Sequence, residues 1–183
     1  VPGVLDTDVG YTGGWLEHPV YDDTHESASG HAEAVRVVFD PTVLSFESLL
    51  ENWFFRLHDP TTLNRQHNDV GTQYRSAIYV MEPELLPLAE ASRNRYQQLL
   101  NANGKSAITT EIATGKPFFF AETYHQQYLA RPGSRPYCSA RPSGVLLDAY
   151  EGSNYKLPAA VWSHYDWSID HCVLRGDNTP IGL

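Results

Sequence analysis

The chain has 183 residues, enough for one domain or one domain with a tail. With 42% hydrophobic and 19% charged residues it has the balance of a folded chain rather than a disordered one. A net charge of −9 repels phosphate backbones and anionic bilayers, so neither nucleic acid nor a membrane surface is expected as a partner. Residues 4–11 read as a strand ending at Gly13-Gly14, and a polar loop follows to Gly30. Alternation over residues 33–40 predicts a second strand, with Val35, Val37 and Phe39 on one face and Arg36 and Val38 on the other. Pro41 ends it. Ser45 is an N-cap candidate for a helix whose Phe46, Leu49, Leu50, Trp53, Phe54 and Leu57 form one apolar stripe, stopped by His58-Asp59-Pro60. Residues 61–73 have no period and read as a polar loop, and residues 76–81 read as a short strand. Pro83 opens a second helix with Leu85, Ala89, Tyr96, Leu99 and Leu100 inward, and Asn103-Gly104 closes it. A strand over 108–112 and a short helix over 121–130 follow; beyond Pro132 the pattern weakens.

This order predicts an α+β fold, a two-layer sandwich on one sheet. The first four elements match the last four of a β-α-β-β-α-β ferredoxin-like unit. The leading strand and helix of that unit are therefore expected to be missing, in keeping with a chain that opens Val1-Pro2-Gly3-Val4 and enters a strand directly. Residues 1–138 are expected to form one catalytic domain, incomplete at its N-terminal side. Residues 139–183 are expected to be an irregular extension that packs on it through Trp162 and Trp167.

The two cysteines, Cys138 and Cys172, are too few for a disulfide framework, and there is no CxxC. The eight histidines are scattered without an HExxH, so no metal site is expected. Redox chemistry, a single bridge or inert thiols remain open. Glu33 stands at the start of an apolar strand. By position it reads first as a solvated edge carboxylate, with a general acid whose pKa is raised by partial burial as the alternative. Asp69 sits in a polar run that reads equally as plain loop, and Tyr21 and Tyr74 as packing residues.

Taken together, several stretches shift that balance. Gly10-Tyr11-Thr12-Gly13-Gly14, Gly30-His31-Ala32-Glu33-Ala34-Val35, His58-Asp59-Pro60-Thr61-Thr62, Asn64-Arg65-Gln66, Asn68-Asp69-Val70-Gly71-Thr72-Gln73-Tyr74-Arg75-Ser76 and His125-Gln126-Gln127-Tyr128-Leu129 resemble, in order, the A-class methionine sulfoxide reductases. The resemblance covers residues 1–138. It implies an oxidoreductase that reduces methionine S-sulfoxide, free or in proteins, with thioredoxin as reductant and no metal or organic cofactor. It implies a cysteine thiolate that attacks the sulfoxide sulfur. Glu33 is then the acid, Tyr21 and Tyr74 are hydrogen-bond donors to the sulfoxide oxygen, and Asp69 helps hold the site. Cys138 falls at the resolving position, although Pro136 stands where the family commonly has glycine. A monomer in the cytoplasm is the expected setting.

The family nucleophile lies in a Gly-Cys-Phe-Trp stretch at the start of the helix after the first strand, where a helix N-terminus lowers a thiol pKa. No stretch of the 183 residues matches it. Three readings follow: a fragment of a longer reductase, a degenerate member that binds without catalysis, or replacement of the nucleophile by Cys172, beside His171 and Arg175. A milder role for Cys172 is to recycle the disulfide formed with Cys138. A metal hydrolase built on the scattered His and Asp residues is the remaining class.

Overall fold

The computed structural model describes residues 1–134 and 140–145. Strands β1 (Val4–Thr12) and β2 (Ala32–Phe39) pair antiparallel, in a register that runs from Val4 opposite Phe39 to Thr12 opposite Ala32. β7 (Phe118–Phe120) pairs antiparallel with the other edge of β1 and makes a three-stranded sheet in the order β2-β1-β7. A separate parallel pair joins β5 (Ala77–Val80) to β6 (Glu111–Thr114). Together with the helices this is an α+β architecture.

The helix after β2 starts where its cap demands: the Ser45 hydroxyl accepts the Ser48 N–H at 3.1 Å. It runs as α2 (Phe46–Leu49) and then widens into a π turn over Leu50–Phe54, with the Phe55 N–H bonded back to the Leu50 carbonyl at 2.9 Å. The wider turn rotates the stripe by one residue. Phe55, outside the predicted stripe, is fully buried, while Trp53 and Phe54 stay partly exposed. Glu51 is also carried inward and accepts from Arg95 Nη2 at 2.9 Å.

Helix α3 (Leu86–Ala102) follows a short 3-10 turn at Pro83–Leu85 and buries Ala89, Ser92, Tyr96 and Leu100 at helical spacing. Ala89, Tyr96 and Leu100 meet Leu50, Phe55, Ile78 and Val80 in the main core. The Tyr96 hydroxyl bonds the Ser143 hydroxyl at 2.7 Å, and Val145 packs on the same core, so residues 140–145 lie against α3.

Buried His58 holds the end of the π turn to β5. One ring nitrogen lies 2.8 Å from the Phe54 carbonyl, which can only accept, so Nδ1 carries the proton there. Nε2 must then accept, from the Ser76 hydroxyl at 2.8 Å, and Ser76 in turn accepts from Thr110 at 2.7 Å. Burial lowers the His58 pKa, against the opposing effects of the Phe54 carbonyl and Asp59.

Three expectations are corrected. The strand expected at 108–112 is shifted to Glu111–Thr114 by its register with β5. The loop at 61–73 contains a small hairpin, β3 (Arg65–Gln66) with β4 (Asp69–Val70), and a 3-10 turn at Thr72–Tyr74. The helix expected over 121–130 does not form. Gln126 instead pairs its amide with the Val9 backbone, accepting and donating at 2.9 Å, and Gln127 is left-handed at φ 50°. Only a 3-10 turn at Tyr128–Ala130 remains.

Among the described residues, no helix is long and apolar enough to cross a membrane.

Candidate active site

The long β1–β2 connection contains the short helix α1 (Tyr21–His25), whose start is fastened by the Asp23 carboxylate accepting the Val20 N–H at 3.0 Å. Its departure from β1 is built on glycine. Gly13 has φ +84°, and a Cβ there would stand 2.2 Å from the Tyr79 hydroxyl. His31, almost fully buried, accepts the Gly14 N–H on Nδ1 at 3.0 Å and donates from Nε2 to the Leu16 carbonyl at 2.8 Å. This locks the loop two residues before Glu33.

Glu33 sits near the start of β2, opposite Tyr11 of β1. Its side chain remains exposed to solvent, yet desolvation by the surrounding protein is the largest influence on its carboxyl and raises its pKa. The Asp69 carboxylate adds to the rise and positive charge on His25 opposes it. Tyr21 is raised by burial and then by Glu33, Tyr124 and Asp22. Tyr74 is raised by burial and then by Glu33, Asp69 and Tyr21, with a small opposing effect of Gln73. The four residues named from the sequence therefore stand close enough to act on one another's charge. Both phenols stay protonated at neutral pH and serve as donors.

Tyr21 comes from α1, Asp69 from β4 and Tyr74 from the 3-10 turn, so the cluster depends on ties between loops. Gln73 supplies one: its amide donates to the His25 carbonyl at 2.7 Å and accepts from Ser27 at 2.5 Å. Arg75 supplies another, donating to the Thr72 carbonyl at 2.9 Å, to Tyr79 at 2.9 Å and to Glu111 at 3.0 Å. Glu122 supplies a third. Its carboxylate accepts the Tyr11 hydroxyl and the Tyr21 N–H, each at 2.8 Å. Burial pushes the Glu122 pKa up, but hydrogen bonds from Tyr21, from its own N–H and from Tyr11 outweigh it and leave the group below its ordinary value. Sequence reasoning missed Glu122 and His25, because nothing in their spacing marks them, and it quoted Gln73 only within a stretch that carries the resemblance, without a role. Cys138 and Cys172 lie outside the described residues. Among the described residues no group of His, Cys, Asp or Glu is gathered as a metal site.

A cavity of about 560 Å³ runs beside Glu33 between β2, α2 with its π turn, and β5. Its walls include Val35, Val37, Phe46, Trp53, Ile78 and Val80. Among the described residues, β2 pairs only with β1 and β5 only with β6, so each presents a second edge without a strand partner.

The α+β fold thus sets a carboxyl of raised pKa within electrostatic reach of two protonated phenols. The peptide methionine sulfoxide reductase family pattern matches residues 1–154, and the chain belongs to that family. It is 53% identical over 146 residues to the peptide methionine sulfoxide reductase MsrA of Streptomyces griseus, covering 78% of this chain and 64% of that protein. It is 50% identical to the MsrA of Vibrio vulnificus, covering 79% and 68%. The chain thus spans about two thirds of the length of these relatives. Among solved structures, methionine sulfoxide reductase A of Corynebacterium diphtheriae superposes with a TM-score of 0.69 at 40% identity, covering 80% of this chain and 72% of that one. Reduced Mxr1 of Saccharomyces cerevisiae superposes with 0.67 at 31%, covering 75% and 76%.

Proposed function

We propose that this chain carries the proton-donating and oxygen-binding part of a methionine S-sulfoxide reductase. The observation that carries the reading is that Glu33, Tyr21, Tyr74 and Asp69 stand within electrostatic reach of one another, with the carboxyl raised and both phenols protonated. A carboxyl whose pKa is raised holds its proton to higher pH and can give it to a sulfoxide oxygen, and the two phenols can hold that oxygen as charge develops on it. In this reading a cysteine thiolate attacks the sulfoxide sulfur while Glu33 protonates the oxygen. The oxygen passes to the cysteine as sulfenic acid and methionine leaves as the thioether. Cys138 then condenses with the sulfenic acid, releasing water and forming a disulfide that thioredoxin reduces by exchange.

The nucleophile is proposed to arrive on a Gly-Cys-Phe-Trp strand-and-helix segment seated in the cavity beside Glu33. A strand hydrogen-bonded to the open edges of β2 and β5 would join the two sheets into one ferredoxin-like sheet. The apolar walls suit the inward face of such a strand.

Turnover of methionine S-sulfoxide by the complete reductase tests the acid role. Glu33→Gln is expected to lower turnover at neutral pH on the order of 10²–10⁴-fold with the fold intact. Unchanged turnover removes Glu33 from that role.

A further inference from the structure

Glu122 lies just beyond β7, on backbone that β1 holds in place. The Ala121 N–H donates to the Val9 carbonyl at 3.0 Å, and the Gln126 amide donates to the Val9 and Ala121 carbonyls at 2.9 and 3.0 Å. From this base the two carboxylate oxygens reach different elements. Oε2 accepts the hydroxyl of Tyr11, which pairs with Glu33 across the β1–β2 ladder. Oε1 accepts the N–H of Tyr21, in the first turn of α1, where no carbonyl of the helix can take it. The same segment backs the Tyr21 ring, because His125 lies against it with centroids 4.9 Å apart. The His125 N–H returns to the Glu122 carbonyl at 2.9 Å, so the anchor and the ring wall belong to one turn.

We propose that Glu122 is a positioning residue of this site: one carboxylate holds the start of α1, and with it the Tyr21 phenol, to the strand residue opposite Glu33. Its consequence for turnover rests on the functional reading above, whereas the anchor rests on the two hydrogen bonds of 2.8 Å. A helix of five residues has little stability of its own, so its place is set by what fastens it. The stacking of His25 on Tyr21 comes from α1 itself and moves with it. Gln73 fastens the far end of α1 to the turn that carries Tyr74, and Glu122 fastens the end where Tyr21 stands. A phenol that must meet a developing charge tolerates little drift, since a misplacement of about 1 Å can cost on the order of 10²-fold in rate.

Amide-proton exchange of Tyr21 in the 183-residue chain reads the anchor without turnover. Glu122→Ala removes the side chain, and Glu122→Leu keeps its bulk without an acceptor. Each is expected to speed Tyr21 exchange on the order of tenfold beyond any change at Leu100 of α3, which reports general loss of stability. Glu122→Gln keeps an oxygen for the Tyr21 N–H and is expected to restore most of the protection. Tyr21 exchange that rises no more than Leu100 exchange in both the Ala and the Leu variant overturns the proposal. Kinetics of the complete reductase then separate positioning from structure. Glu122→Leu is expected to lower kcat about tenfold with KM within about twofold of wild type, and to lower it less than about twofold further when combined with Tyr21→Phe. An equal loss in both backgrounds overturns the proposal by making Glu122 a structural residue only. Wild-type turnover in Tyr21→Phe alone overturns the oxygen-ligand reading of Tyr21 instead, and the exchange result then decides the anchor by itself.

Discussion

The Tyr11 hydroxyl reaches across 111 residues of sequence to the Glu122 carboxylate at 2.8 Å. The same carboxylate holds the N–H of Tyr21, so one side chain fastens the end of β1 to the start of α1. Burial and this hydrogen bond both raise the Tyr11 pKa, and the phenol remains a donor throughout the working range.

Glu122→Ala is therefore expected to cost about 1–3 kcal/mol of stability, since it removes hydrogen bonds to a charged group and strands a buried phenol. Its pKa is lowered in the folded state, so its contribution is present above the unfolded value near 4.5 and is lost as pH falls through the folded value. Urea unfolding at pH 7 and pH 3.5 checks both points: the difference between wild type and variant should shrink at the lower pH.

The His58–Ser76 pair has a different window. A buried histidine with a lowered pKa binds more protons when unfolded, so its contribution is full above about pH 6.5 and is lost as pH falls below it. Ser76→Ala leaves Nε2 without its donor and is expected to cost about 1–3 kcal/mol at pH 8. Denaturation midpoints at pH 8 and pH 5.5 test this. A wild-type midpoint that stays level between them would contradict the neutral, donor-dependent histidine.

Removal of one oxygen ligand should act on chemistry rather than folding. Tyr74→Phe and Tyr21→Phe in the complete reductase are each expected to lower kcat on the order of 10²-fold with unfolding midpoints near wild type. A rise in KM alone would make the phenol a substrate contact instead of a ligand to the developing charge.

Much of this was legible in the residues, and the exceptions have physical causes. The Ser45 cap, the apolar face of α3 and the alternating strand β2 are local patterns, and they formed as read. The π turn was not readable, because the one-residue rotation that buries Phe55 and Glu51 is set by what α2 packs on. Gln126 chose the β1 edge over a helix because its amide satisfies the Val9 backbone, a partner far away in sequence. β7 is three phenylalanines long, too short to show a period. At the site, Glu33, Tyr21, Tyr74 and Asp69 were named through family resemblance, since their convergence depends on three separate loops. Glu122 and His25 carried no mark in the sequence.

Cys138→Ser is expected to spare turnover with small dithiols more than turnover with thioredoxin, because a small dithiol can reduce the sulfenic acid directly. Parallel assays with the two reductants check this; equal losses would argue against a purely resolving thiol.

The most direct test of the account is dithiothreitol-dependent reduction of the S epimer of a methionine sulfoxide derivative by two proteins. One is the 183-residue chain, and the other is the same chain joined to a preceding strand and helix bearing Gly-Cys-Phe-Trp. The account predicts turnover in the second and none in the first, with Glu33→Gln lowering it on the order of 10²–10⁴-fold. Turnover by the first chain that Cys172→Ser removes would contradict it by placing the nucleophile in the tail. Inactivity of the joined protein would contradict it in favour of a module that binds without catalysis.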